Sequence, residues 1–175
     1  ASLTDSVFAG NILGTLVNMA RAVPSAVLAF SGTDVALGSR RHSYEYFNRI
    51  CDIGDANCTR EKVYEALKYY PAPIASWGGL GRPVVESGEQ LELIMFSPVW
   101  TTANGVDAIH NETLKGHIFY HGIVDRSVVR RGNGYYIRSY GEGAGPIAAM
   151  NVMAAAGTWW AMDVQIQAFV RNGGL

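Results

Sequence analysis

The chain has 175 residues, of which 49% are hydrophobic and 17% are charged, and its formal net charge is -1. This composition can bury enough apolar surface to offset the entropy of ordering, which excludes overall disorder, and the near-neutral charge excludes a global attraction to nucleic acid or membrane. The length suits one domain over 1–175, which we divide into a helical lead-in over 1–42 and a core over 43–175.

Residues 7–30 are mostly apolar and form the first predicted element. Asn11, Asn18 and Arg21 interrupt them, so no run approaches the roughly 20 apolar residues of a membrane-spanning helix. The segment therefore predicts a packed helix in the lead-in and no stable membrane anchor. Contact of this segment with a membrane stays open as the alternative.

The next two elements are predicted as helices. Residues 43–51 form a short helix with Ser43 as its N-cap. A second helix begins after Thr59, which is a favoured N-cap residue. This helix carries apolar residues at helical spacing. Pro71 ends it, because proline cannot continue the hydrogen-bond ladder.

Of the two cysteines, Cys51 ends the first predicted helix and Cys58 precedes the second. Their spacing allows one small disulfide loop in an oxidising compartment, and two free thiols fit the sequence equally well. The chain has no second cysteine pair and no C-x-x-C, so a four-ligand zinc site has poor support. We therefore predict no metal and no cofactor.

The second half of the chain predicts strands followed by a helix. Residues 91–96 and 115–122 fit short strands, and residues 123–140 form a hairpin with a Gly/Asn turn, the clearest local signal in the chain. Apolar residues fill a helix over 147–170, with a break at 157–158. This order predicts an α+β fold, in which N-terminal helices and a C-terminal helix pack on a small antiparallel sheet of about four strands.

Titratable and basic side chains are concentrated between residues 110 and 140. Three of the four histidines lie here, and the window 115–140 holds five basic residues against one aspartate. Imidazoles titrate near neutral pH, guanidinium groups match phosphate oxygens, and tyrosines can stack on bases. On the second hairpin strand, alternation places Tyr136, Arg138 and Tyr140 on one face.

These residue types are those of metal-independent RNA cleavage, in which a base takes the 2′-hydroxyl proton, an acid protonates the leaving oxygen and a cation stabilises the phosphorane. We predict His117 as the acid or base, with His121 as the alternative. Since strand rise would separate the two by roughly 13 Å, one of them acts with an arginine or a tyrosine. Arg126, Ser139 and Tyr140 complete the predicted catalytic set. The predicted substrate-binding residues are Lys115, Arg130, Tyr136 and Arg138.

The runs 116–128 and 134–143, followed by Asn151, resemble the C-terminal toxin modules of bacterial polymorphic toxins. These include the ends of Rhs-type and filamentous-haemagglutinin-type proteins, and the resemblance covers about residues 43–170. It implies a toxin or effector that belongs to a larger carrier, is secreted or delivered into a competing cell and is inhibited by a cognate immunity protein. Many such modules are nucleases, so we expect a ribonuclease with RNA as its substrate.

Two alternatives stay open. An ADP-ribosyltransferase-type toxin using NAD would draw on His121, Tyr136 and Glu142, which follow the chain order of such enzymes at a shorter spacing. A non-enzymatic module that is membrane-active or structural would use residues 7–30 and 147–170 for insertion.

Overall fold

The computed structural model describes residues 33–34, 41–73, 83–93, 97–144 and 148–174. The helix predicted over 7–30 lies outside these ranges. Antiparallel strands and helices within them confirm the α+β class. The elements are β1 (Thr33–Asp34), β2 (Arg41–Asp52), α1 (Arg60–Tyr69), β3 (Glu89–Leu93), β4 (Ser97–Ala103), β5 (Ala108–Thr113), β6 (Gly122–Arg131), β7 (Gly134–Ala144) and α2 (Ala148–Arg171).

The strands form one sheet with the order β1-β2-β7-β6-β5-β4-β3, in which all neighbours are antiparallel. Within the described ranges it has seven strands, more than the four or so that were predicted. The predicted hairpin is confirmed as β6 and β7, and Gly132 in its turn has a φ of 56°, which suits a two-residue hairpin turn. Strands β3 to β7 are neighbours in chain order across the sheet. Strand β2 pairs with the edge of β7 that faces away from β6.

The helix predicted over 43–51 is wrong, because this segment belongs to the twelve-residue strand β2. Every second residue is buried and the intervening ones are exposed or half-buried, which is the period of a strand with one covered face. The capping potential of Ser43 is overridden by this alternation. The buried residues of β2 are His42, Tyr44, Tyr46, Asn48 and Ile50.

The strand predicted over 115–122 is also wrong. The backbone N–H of His117 donates to the carbonyl of Leu114 at 3.0 Å, and that of Tyr120 donates to the carbonyl of His117 at 3.1 Å, so the chain makes successive turns before β6 begins. The strand predicted over 91–96 is found as β3, which begins two residues earlier, and residues 94–96 lie outside the described ranges.

The two helices cover one face of the sheet, which we call the inner face. Helix α1 has the predicted N-cap, since the Thr59 hydroxyl accepts from the N–H of Lys62 at 3.1 Å. Helix α2 is continuous, so the predicted break at 157–158 is wrong; Gly157 is buried, and packing there outweighs its low helix propensity. The core between helices and sheet includes Leu67, Ile109, Ile137, Trp159, Met162 and Ile166.

A disulfide joins Cys51 at the end of β2 to Cys58 just before α1. It closes the short loop that leads the chain from the end of β2 into helix α1. The alternative of two free thiols does not hold in this structure.

Candidate functional site

Arg126 lies in a polar network inside the protein. Its side chain is fully buried on the inner face, and one of its guanidinium nitrogens is 2.5 Å from the carboxylate of Asp163 on α2. It also donates to the carbonyl of Tyr70 at 2.7 Å and to the hydroxyl of Ser139 at 3.3 Å. Burial raises the pKa of Asp163 to about 6, against the opposing effects of Arg126 and of the Asn48 amide. Arg126 and Ser139 therefore link the sheet to α2 and do not reach a surface where substrate could bind.

Strand alternation separates the predicted residues of β7 between the two faces. Ser139 points to the inner face, whereas Tyr136, Arg138 and Tyr140 share the outer face as predicted. There the Arg138 Nε donates to Glu45 at 2.5 Å, and its guanidinium lies 5.2 Å from the ring centroid of Tyr140.

The other predicted basic residues do not join this group. Lys115 is exposed in the turns before β6, and Arg130 is exposed at the far end of β6, next to the hairpin turn. The four basic residues predicted to act with the histidines, Lys115, Arg126, Arg130 and Arg138, thus occupy several parts of the molecule.

His117 is held by its own turn. The backbone N–H of Phe119 donates to Nδ1 of His117 at 3.0 Å, and the two rings lie 5.8 Å apart. Burial lowers the pKa of His117, which favours the neutral ring that this hydrogen bond requires. The arrangement fits a histidine that fixes the path of the chain.

His121 lies in a cleft at one end of the sheet, where β2 and β6 begin and β5 and β7 end. The cleft has a volume of about 660 Å³, within the usual range for small-molecule and nucleotide sites. The ring of His121 is exposed and packs on that of Tyr120, with centroids 3.5 Å apart. The lining residues are Arg41, His42, Ser43, Glu112, Thr113, His121, Gly122, Ile123, Tyr140, Glu142, Gly143 and Ala144.

The sheet register explains how the cleft gathers its polar side chains. Ser43 pairs with Glu142, Glu142 with Ile123, and Ile123 with Glu112, so one row on the outer face carries a hydroxyl and two carboxylates. The Tyr140 hydroxyl donates to Glu142 at 2.8 Å. This hydrogen bond raises the pKa of Tyr140, which keeps the phenol protonated at neutral pH.

Glycines form the edge of the cleft. Gly122 pairs with Gly143, and the N–H of Ala144 beyond them donates to the carbonyl of His121 at 3.2 Å. A Cβ on Gly143 would stand 3.2 Å from the His42 ring and 3.5 Å from the carbonyl of His121. Because Gly122 and Gly143 have no side chain, the backbone that carries His121 can lie against the end of β7.

Of the residues predicted for RNA cleavage, the cleft brings together His121 and Tyr140. Of the transferase set it brings together His121 and Glu142, while Tyr136 lies about 13 Å along β7 from Tyr140. Sequence reasoning missed Arg41 and Glu112. The alternation of β2 would have placed Arg41 at a strand end, but its position beside Ala144 depends on a pairing that no local pattern indicates.

One further pair of titratable groups lies on the outer face. Nδ1 of His110 on β5 is 2.6 Å from the carboxylate of Asp125 on β6, and both side chains are partly exposed. This pair is outside the lining of the cleft. In the described part of the chain, no three His, Cys, Asp or Glu side chains are grouped as a metal ion would need, and no helix has the length and apolar character to cross a membrane.

No family model matches the chain, and no curated protein matches it. Among solved structures it is similar to CalU16 from Micromonospora echinospora, with 10% identity over 82% of this chain and 84% of that one and a TM-score of 0.47. It is similar to Ara h 8.0201, with 10% identity over 75% of this chain and 99% of that one and a TM-score of 0.49. For protein MLL2253 from Mesorhizobium loti the identity is 14% over 76% of this chain and 99% of that one, with a TM-score of 0.49. No statement about activity follows from these similarities.

Proposed function

We propose that this chain is a delivered bacterial toxin module that cleaves RNA in the cleft at the end of its sheet, without a metal ion or cofactor. The observation that carries the proposal is that the exposed imidazole of His121, the hydrogen-bonded carboxylate of Glu142 and the guanidinium of Arg41 line the same cleft, which is of nucleotide size. Metal-independent cleavage of RNA needs one base, one acid and one cation.

The roles follow from the chemistry of these groups. Glu142 removes the proton from the 2′-hydroxyl, and the 2′-oxygen then attacks the adjacent phosphorus. The bond from phosphorus to the 5′-oxygen breaks, and His121 gives its proton to that oxygen. Arg41 lines the same cleft, where it stabilises the charge on the phosphorane. The products are a 2′,3′-cyclic phosphate and a 5′-hydroxyl.

Tyr140 supports the carboxylate in this scheme. Its hydroxyl donates to one oxygen of Glu142, which orients the carboxylate and leaves the other oxygen for the substrate. The assignment revises the predicted set, since Arg41 takes the role expected of Arg126, and Glu142 takes the place of the arginine or tyrosine that was expected to act with one histidine.

The disulfide between Cys51 and Cys58 supports a protein that is secreted or delivered, because such bonds persist in oxidising compartments. The carrier protein and the cognate immunity protein are parts of the same proposal. They rest on the resemblance of the sequence to polymorphic toxin modules.

The test is degradation of total RNA by the purified chain, with and without EDTA. His121→Gln and Glu142→Gln should each lower the rate by about 100-fold or more, the usual loss when an acid or base is removed. His110→Gln is the matched control, because it removes a partly exposed histidine of the outer face that lies outside the cleft. Full activity of folded His121→Gln, or loss of activity in EDTA, would contradict the proposal.

A second candidate is transfer of ADP-ribose from NAD, favoured by the presence of His121 and Glu142 in one cleft. Incubation with labelled NAD and a bacterial lysate tests it. Label that becomes attached to protein or nucleic acid, and is lost in Glu142→Gln, would favour transfer over RNA cleavage.

A further inference from the structure

Arginine and aromatic side chains alternate on the outer face between the cleft and the hairpin turn. The guanidinium of Arg131 lies 4.0 Å from the ring centroid of Phe47, that of Arg49 lies 5.9 Å from Tyr136, and that of Arg138 lies 5.2 Å from Tyr140. Three strands contribute to this surface, which we call the arginine–aromatic face. It consists of Phe47, Arg49, Arg131, Tyr136, Arg138 and Tyr140.

Strand β7 gives this face a regular spacing and a direction. Tyr136, Arg138 and Tyr140 occupy alternate positions, so neighbouring side chains are roughly 7 Å apart along the strand. Tyr140 also lines the cleft, which makes the face continuous with it. At the other end, a Cβ on Gly134 would lie 2.9 Å from the Nε of Arg49, so the glycine leaves room for the Arg49 side chain.

The charges of this face suit an anion. Arg49 pairs with Asp52 and Arg138 with Glu45, yet 46% of the Arg49 side chain and 34% of the Arg138 side chain are exposed. A guanidinium has five N–H donors, so each keeps donors that its carboxylate does not use. Arg131 is exposed and has no ion pair within the part of the chain that the structure describes.

We infer that single-stranded RNA lies along the arginine–aromatic face and enters the cleft at Tyr140. Unpaired bases stack on the rings of Phe47 and Tyr136, and the phosphates contact the arginines between them. Rings interleaved with cations suit a single strand, because bases in a duplex are already stacked on one another. The inference rests on the proposed function only for the cleavage of the RNA after it enters the cleft. Binding of the RNA to the face can be measured without cleavage.

The probe is a fluorescein-labelled 2′-O-methyl oligoribonucleotide of about 12 nucleotides, within the site sizes of single-strand binders. Its blocked 2′-oxygen cannot act as a nucleophile. Phe47→Ala and Tyr136→Ala should each raise the Kd by roughly five- to 150-fold, as expected for loss of one stacked base. Arg131→Ala should reduce the steepness of log K against log salt by about 0.7. Arg60→Ala, which removes an exposed arginine of helix α1 on the opposite side of the sheet, should bind as the wild type does.

The outcomes separate this inference from the proposed function. If the wild type binds the probe and folded Phe47→Ala and Tyr136→Ala bind it more weakly, the result supports RNA binding on the arginine–aromatic face. This holds even if the wild type leaves unmodified RNA uncut, and in that case only the catalytic proposal fails. RNA cleavage together with unchanged binding in both variants overturns the face and leaves the catalytic proposal standing. Failure of the wild type to bind the probe also overturns it. Equal competition by a duplex of the same length overturns the stacking argument.

Discussion

Replacement of Arg126 by methionine distinguishes a structural arginine from a catalytic one. The Arg126 side chain is fully buried and Asp163 beside it is 1% exposed, so Arg126→Met leaves a buried carboxylate without its cationic partner. Breaking a buried ion pair from one side costs about 3–5 kcal/mol of the free energy of unfolding. For a domain of this size each kcal/mol lowers Tm by about 2–4 °C, so we expect a decrease of roughly 6–20 °C.

Arg138→Met is the matched control, since Arg138 lies on the same hairpin and pairs with Glu45 at a partly exposed site. Such pairs contribute about 0–1 kcal/mol, so its Tm should fall by no more than about 4 °C. The double variant Arg126→Met/Asp163→Leu should recover part of the lost stability, because it removes the unpaired buried carboxylate. Its Tm should stay below that of the wild type, because the Asn48 amide and the Ser139 hydroxyl lose buried hydrogen-bond partners.

Thermal unfolding followed by circular dichroism measures these differences, and RNA cleavage is measured on the same samples at 20 °C below each Tm. We expect the double variant to keep its activity. A double variant that is folded at the assay temperature and has the circular dichroism spectrum of the wild type, yet is inactive, would refute our placement of Arg126 outside the catalytic site.

Three other predictions concern stability. Replacing Cys51 and Cys58 by serine should lower the free energy of unfolding by about 2–3 kcal/mol in urea titrations, the entropy of closing a loop of this length; an unchanged value would contradict the disulfide. Gly141→Ala should cost about 1–3 kcal/mol, because the added methyl group would overlap the buried ring of Tyr44, and a neutral effect would refute that contact. Burial lowers the pKa of His117 below 6.5, so the unfolded chain takes up a proton on this residue at a higher pH than the folded chain does. The free energy of unfolding should therefore decrease as the pH drops through 6.5, and His117→Asn should lack this part of the decrease.

The sequence contained enough local information to predict some elements of the fold. Helix α1 follows from the Thr59 cap and the proline after it, and the hairpin of β6 and β7 follows from its Gly/Asn turn. Strand β2 was predictable in part, because Tyr44, Tyr46 and Ile50 occupy even positions, but Phe47 and Asn48 break the apolar–polar alternation between them. Ser43 favoured the wrong prediction of a helix. A capping residue stabilises the end of a helix, but the burial of alternate side chains along β2 outweighs that effect here.

The candidate site was less accessible to sequence reasoning. His121, Tyr140 and Glu142 were singled out by residue type, but the pairing of Arg41 with Ala144 that completes the cleft joins distant parts of the chain. Arg126 was assigned to phosphate because guanidinium groups match phosphate oxygens. Its burial could not be predicted, since arginine is seldom fully buried and its partner Asp163 lies on a helix that shares no local pattern with β6. Which face a strand residue occupies depends on what covers the sheet, and that is a property of the whole fold.

The central claim is that Glu142 and His121 transfer protons during attack by a 2′-hydroxyl, and analysis of product ends by mass spectrometry tests it most directly. The substrate is a short oligoribonucleotide whose cleaved position has first been mapped with the wild type. We predict a 2′,3′-cyclic phosphate and a 5′-hydroxyl, no cleavage after a 2′-deoxy substitution at that position, and neither product from His121→Gln. A 5′-phosphate end, or cleavage that survives the 2′-deoxy substitution, would contradict the mechanism.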